Sequence, residues 1–362
     1  MDDQLQDGSA TGSEETSRWR RPTWLLAAGL VAVVLVVVVV VVVRQLGDEH
    51  ECNGTAGLCD LRLDQVALAT THNSMNAAAD GFDEPSQESG MEQQLADGVR
   101  GFLIDAFLGS VRPLGDDDVV YTDLPRRELA RALSLLGPEA AERAQMLRQR
   151  IGPPAATAPR EVYLCHRLCE LGAVPFSDVV ATLRRFLETH PSDVLVIVVQ
   201  DELPAEDLVP VLTDGGLEPY LATIDPTQPM PTLGSMVDSG RRVLIGLENG
   251  DLGPQIPNVY DDGLLQEVPY DYASPEELES PDSCRPNRGQ PDAPLFALNH
   301  WVTPPSEEAA AEVNSVEFLQ NRVDRCAQER GQPVNLVAVD FYETGDLMGV
   351  VNELNRRAPD SG

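Results

Sequence analysis

Two of the five histidines in this 362-residue chain close short apolar runs: His72 in Ala69-Thr70-Thr71-His72-Asn73-Ser74 and His166 in Val162-Tyr163-Leu164-Cys165-His166. An imidazole changes charge near neutral pH, so it can take up or release a proton there. A pair of them at the ends of strands offers a general base and a general acid, as displacement with proton transfer to a leaving group requires. Taken singly, each could equally be a capped or partly buried histidine with no chemistry. His190, ahead of Pro191, reads as a surface helix end, and His300 beside Trp301 as a residue of the rim.

Positioning two such groups needs a scaffold in which strand ends converge. Strand-like runs recur at 64–71, 100–107, 161–166, 194–201, 241–248, 266–271, 294–300 and 335–342. Runs such as Val194-Leu195-Val196-Ile197-Val198-Val199 are apolar throughout, as strands covered on both faces should be. Helical stretches are expected at 91–97, 126–149, 175–189, 205–214, 275–278, 306–330 and 346–357. Eight strands alternating with helices predict an α/β fold, a (β/α)8 TIM-type barrel over residues 61–357. Residues 112–160 exceed a normal crossover and are expected to form an inserted helical lid.

In such a barrel the C-terminal strand ends form one polar ring. The ring would contain His72 and Asn73, Asp105, His166 and Arg167, Gln200, Asp201 and Glu202, Glu248 and Asn249, Asp271 and Tyr272, Asn299 and His300, and Asp340, Tyr342 and Glu343. Strands one and eight are neighbours in a closed barrel, so Asp340 can hydrogen-bond His72 and fix its tautomer.

Thr71-His72-Asn73-Ser74, Gly98-Val99-Arg100-Gly101-Phe102-Leu103-Ile104-Asp105 and Leu164-Cys165-His166 resemble segments of the phosphatidylinositol-specific phospholipase C X-domain superfamily, in particular its extracellular plant and bacterial branch. Phe186–Val194, Ser283-Cys284-Arg285-Pro286-Asn287-Arg288 and Val337-Ala338-Val339-Asp340-Phe341-Tyr342 continue the resemblance in the expected order. It implies a phosphoric diester hydrolase with His72 as general base, His166 as general acid and Asp340 as the carboxylate behind the base. Calcium-dependent members use an Asn after the first His, acidic residues on strand two and a Glu on strand four. Asn73 and Asp105 match, whereas Phe107 and Gln200 stand where charged residues are expected, so a Ca2+ site of Asn73, Asp105 and Gln200 would carry one formal charge. Arg167 could supply the missing positive charge, with Asn299 and Tyr342 as further substrate contacts.

Residues 24–43 form an uninterrupted apolar run long enough to span a bilayer. Arg18, Arg20 and Arg21 precede it and only Arg44 follows closely. This predicts a cytoplasmic tail (1–23), a transmembrane signal anchor (24–43), a linker (44–60), an extracytoplasmic domain and a short tail (358–362) in a single-pass protein of the cell membrane. Six cysteines suit an oxidising exterior, and nearest-neighbour pairing gives Cys52–Cys59, Cys165–Cys169 and Cys284–Cys326. Cys165 and Cys169 around His166 could instead form a metal knot or a reactive thiol.

The net charge is −33 and the sequence contains no lysine, which excludes nucleic-acid binding, Schiff-base chemistry and a P-loop. The expected substrate is a phosphodiester lipid, or a soluble glycerophosphodiester, because such an acidic surface docks poorly on anionic bilayers. Two other readings use the same barrel. One is a non-catalytic cell-surface binding module; the other is a glycosidase built on Glu202 and Glu248, which leaves both histidines unexplained.

Overall fold

A computed structural model describes residues 51–358. The expected tail, membrane anchor and first part of the linker, together with residues 359–362, lie outside the described residues. Among the described residues no helix is long and apolar enough to cross a membrane.

The domain is an α/β fold around one curled sheet. Its ten strands are β1 (Leu68–Thr71), β2 (Gly101–Leu114), β3 (Asp117–Thr122), β4 (Glu161–Leu164), β5 (Val174–Pro175), β6 (Leu195–Glu202), β7 (Val243–Leu247), β8 (Leu265–Glu267), β9 (Leu295–His300) and β10 (Leu336–Val339). Seven run parallel in the order β7-β6-β2-β1-β10-β9-β8. The helices that matter below are α1 (Met91–Ala96), α2 (Arg126–Leu135), α3 (Pro138–Ile151) and α4 (Phe176–Thr189).

Alternation within the apolar runs builds two layers. In β6, Leu195, Ile197 and Val199 join the cluster that includes Val180, Leu183 and Leu187 of α4. Val196 and Val198 join the inner cluster with Leu265, Ala297 and Leu336. A strand buried on both faces loses its polar alternation, which is why the run reads as continuously hydrophobic.

The expected eight-membered parallel ring is met only in part. The run at 161–166 is not a parallel member: β4 lies antiparallel to the far half of β2, with Ala106 opposite Leu164 and Gly109 opposite Glu161. β2 instead pairs directly with β6, Gly101 opposite Val196. The cause is the length of β2, 14 residues, which carries it past the mouth and gives it a second set of partners. Between β7 and β8 the sheet is bridged by residues 257–259: Leu247 N–H donates to Pro257 O, Val259 N–H to Leu247 O, and Leu265 N–H to Val259 O.

Two further expectations change. The insertion is an antiparallel arm, β2 with β3, followed by two helices broken at Leu136-Gly137-Pro138, where proline begins α3. Residues 51–60, expected as linker, fold onto the domain: Glu51–Cys52 pairs with Thr55–Ala56, and buried Cys52 and Leu58 join the inner cluster with Val194 and Leu233. The three disulfides are Cys52–Cys59, Cys165–Cys169 and Cys284–Cys326. They match nearest-neighbour pairing and leave no free thiol among the described residues to form a metal knot.

His300 is buried under the sheet rather than on the rim. Its Nδ1 lies 3.1 Å from Arg322 Nη1, and its Nε2 lies 2.8 Å from Val313 O. Burial and the adjacent guanidinium push its pKa down to about 3, so it stays neutral. It belongs to the scaffold.

Candidate active site

A cavity of about 630 Å3 opens at the C-terminal ends of the parallel strands. Its floor is the inner apolar layer, Leu103, Val198, Leu265 and Ala297, and its walls are polar. Strand register creates the first pair of groups. Thr71 of β1 lies opposite Val339 of β10, so the residues that follow, His72 and Asp340, are brought side by side. His72 Nδ1 is 2.8 Å from Asp340 Oδ1. His72 N–H donates to Val339 O, and Gln87 Nε2 donates to both His72 O and Val339 O, which pins the junction. Trp301, one residue past β9, stacks on the imidazole with ring centroids 3.6 Å apart and planes 4° from parallel. With Nδ1 donating to the carboxylate, Nε2 carries the lone pair. Burial raises the Asp340 pKa and His72 opposes that rise. Asp340 Oδ2 is buried with no hydrogen-bond partner among the described residues.

His166 comes from a loop after β4, not from a parallel strand end. It lines the same cavity and is held by Asn76, whose Nδ2 is 3.4 Å from His166 Nδ1. Crowding by protein, then Arg167 and His72, push its pKa well below the ordinary imidazole value. In the empty cavity His166 is therefore neutral near pH 7. A bound phosphate anion works in the opposite direction and favours the imidazolium.

Arg167 follows with φ +67°, a left-handed conformation that costs a side-chain-bearing residue about 1 kcal/mol. Its side chain lines the cavity. It has no hydrogen-bond or ion-pair partner among the described residues. Burial lowers its pKa, while the nearby Asp105 and Asp271 carboxylates oppose that. α2 of the insertion adds Arg131, Ser134 and Leu135 to the mouth.

The opposite wall is a dense ion network. Arg288 donates to Glu248 at 2.7 and 3.1 Å and to Glu267 at 2.7 and 3.1 Å. Its guanidinium lies 4.4 Å from the Tyr260 ring centroid and 4.9 Å from that of Tyr270. Asn299, expected to contact substrate, lines the cavity and donates from Nδ2 to Glu267 and to Val268 O.

Tyr342 does not reach the cavity; its hydroxyl donates to Asp97 Oδ2 at 2.7 Å. β10 ends at Val339, and Phe341 at φ +48° turns the chain, so strand alternation cannot be extended to residue 342.

Asn73, Asp105 and Gln200 do line one cavity. Their chemistry fits a calcium ion poorly. Asp105 is the one carboxylate of the three, and burial, with Glu248 next, pushes it up to about 8. A hard cation needs several ionised or carbonyl oxygens. Among the described residues no three Asp, Glu, His or Cys side chains are grouped to hold a metal. Phe107, two residues after Asp105, is buried in the core. Among the cations that act on Asp105 the Arg167 guanidinium comes first, with Arg288 after it.

Sequence reasoning missed Asn76, Trp301, Glu267 and Arg131 as site residues. Trp301 directly follows an expected strand end, which was a usable signal; Glu267 stood at the start of the expected strand 266–271 and closes the observed one, Leu265–Glu267. Asn76 and Arg131 lie in a turn and in the insertion, where nothing local marks them.

The fold and this site define an α/β protein with a histidine–carboxylate dyad at the mouth of its parallel sheet. The PI-PLC X model ("PI-PLC X 1") matches residues 154–355, more than half of the chain, and the chain belongs to that family. The matched span contains His166, Arg167 and Asp340; His72 lies before it. A PI-PLC X domain-containing protein of Arabidopsis thaliana is 27% identical over 220 residues, covering 54% of this chain and 49% of that protein. An uncharacterized secreted protein of Arthroderma benhamiae is 22% identical over 216 residues, covering 52% and 48%. The chain thus spans about half the length of the curated relatives it matches. The phosphatidylinositol-specific phospholipase C from Listeria monocytogenes aligns over 85% of this chain and 98% of its own at 15% identity, with a TM-score of 0.48.

Proposed function

We propose that this domain cleaves a phosphodiester whose alcohol moiety carries a hydroxyl next to the ester, as phosphatidylinositol does. The observation that carries this reading is the His72–Asp340 dyad facing the same cavity as His166 and Arg167. His72 Nε2 takes the proton of the substrate hydroxyl as its oxygen bonds to phosphorus. The bond from phosphorus to the leaving oxygen breaks, and the imidazolium of His166 protonates that oxygen. The products are a cyclic phosphodiester and a free alcohol. Asp340 holds the tautomer of His72 and stabilises its cation. Arg167 offsets the charge that grows on the non-bridging oxygens, commonly the largest catalytic contribution. The Arg288–Glu248–Glu267–Asn299 wall offers alternating donors and acceptors that suit the hydroxyls of a polyol.

The proposed setting is outside the cytoplasm, tethered through residues 24–43. Three disulfides in the domain and the arginines flanking the apolar run support it. The net charge of −33 favours a soluble glycerophosphodiester or an exported glycolipid over an anionic bilayer as the source of the headgroup.

Turnover of phosphatidylinositol and of a soluble glycerophosphoinositol by the whole protein, with and without EDTA, tests this reading. Hydrolysis unchanged by EDTA is expected, because the guanidinium replaces the ion. Loss of turnover with EDTA, restored by Ca2+, would return the charge to a metal. Ligand binding without turnover would favour the binding module, the reading suggested by buried Phe107 at a position where a charge is expected.

A further inference from the structure

His166 and Arg167 are not carried by the parallel strands, and the surroundings of their loop explain how they are held. Cys165 and Cys169 are joined, which closes the loop into a five-residue ring. Cys165 N–H donates to Asp105 O at its entrance, and Leu168 N–H donates to His166 O within it. At its exit Cys169 N–H donates to Thr122 Oγ1 at 2.8 Å. Next comes Glu170, whose side chain is 0% exposed. It accepts from Thr122 N–H at 3.0 Å, from the Thr122 hydroxyl at 2.6 Å and from the Arg148 guanidinium. Arg148 also donates to Thr122 O and lies over the Tyr121 ring, 4.0 Å from its centroid. Under the ring, buried Leu168 and Leu171 pack in one cluster with Ala140 and Ala144 of α3.

Apart from Asp105, and from Asn76 against the His166 ring itself, these grips come from the insertion: Tyr121 and Thr122 from β3, Ala140, Ala144 and Arg148 from α3. A buried ion pair adds little stability over a well-packed apolar substitute. Its value here is geometric, since it fixes the carboxylate of the residue that directly follows the disulfide's Cys169. A misplacement of about 1 Å in a reacting group can cost about 100-fold in rate.

We propose that Glu170 is a positioning residue and that the insertion, through Thr122 and Arg148, is a buttress that sets His166 and Arg167 against the phosphate. The helices of residues 126–151 are then structural support for the site rather than a lid that opens. This inference rests on the acid role given to His166 above.

The test replaces Glu170→Gln, Arg148→Met and, as a near-isosteric variant that removes one hydrogen-bonding hydroxyl, Thr122→Val in the whole protein. Two readouts are taken: kcat and KM, and the NMR titration of the His166 imidazole. A kcat loss of about 10–100-fold in the first two variants is expected, with KM changed little. The His166 titration should move up toward the ordinary imidazole range as the loose loop admits water, and Arg148→Lys should recover part of both changes. A wild-type kcat together with an unmoved His166 titration in folded Glu170→Gln or Thr122→Val overturns the proposal. If the wild-type protein has no turnover, the phosphodiesterase reading fails while the titration still decides whether the buttress positions His166.

Discussion

His72→Ala and His166→Ala should each lower kcat/KM by about 10²–10⁴-fold, with most of the loss in kcat. The reason is geometric. Each imidazole meets the substrate where a proton moves in the transition state, so its removal leaves ground-state binding to Arg167 and the Arg288 wall intact. Asp340→Asn should reproduce much of the His72 loss, because an amide no longer holds Nδ1–H and the wrong nitrogen can then face the cavity. The pH dependence follows from His166. Its pKa in the free cavity is held well below the usual imidazole value by burial, Arg167 and His72. The acid must be protonated, so kcat/KM, which reports the free protein, should fall on the alkaline side at lower pH than kcat. Bound phosphate raises the His166 pKa and moves that limb upward in kcat. Coincident alkaline limbs in the two profiles would remove His166 as the acid.

Asp105→Asn should make the domain more stable at pH 9 while leaving it nearly unchanged at pH 4. Burial raises the Asp105 carboxyl to about 8 from an ordinary 3.8, with Glu248 adding to the rise and Arg167 opposing it. A raised pKa means that the folded state binds the proton more tightly than the unfolded chain. Asp105 therefore contributes fully below its unfolded pKa, and that contribution is lost as pH climbs from about 4 to about 8. Converted directly, the shift sets a ceiling of about 6 kcal/mol. Water in the open cavity reduces what is realised below that ceiling. Urea denaturation of both proteins across that range checks this. Parallel stability curves for wild type and variant would show that Asp105 ionises in the folded state as it does in the open chain.

How far the sequence carried this account depends on which elements hold each residue. His72 and Asp340 were legible because both follow apolar runs, and because parallel strands in neighbouring positions end at the same level. Their contact is a consequence of one register, Thr71 opposite Val339. His166 was legible as a site residue for an insufficient reason. A four-residue apolar run looks the same whether its partner is parallel or antiparallel, and β4 turned out antiparallel to β2. The residue still reaches the cavity because the disulfide loop carries it there. Tyr342 was misplaced because alternation was extended past the end of β10, through a residue with positive φ that sequence does not reveal. The ion network around Arg288 was not assembled in advance either. Glu248 and Glu267 approach one guanidinium from different strands, and only three-dimensional proximity joins them. Residues 51–60 read as linker because their polar composition hides two deeply buried side chains, Cys52 and Leu58.

The central claim is that a substrate hydroxyl, deprotonated by His72, attacks phosphorus and that His166 protonates the leaving oxygen. Phosphorus NMR of the first-formed product from a phosphatidylinositol-type ester tests it most directly. The account predicts a cyclic phosphodiester as the initial product with the wild-type protein and none with His72→Ala. A linear phosphomonoester formed from the outset, or undiminished cyclic product from His72→Ala, would contradict it.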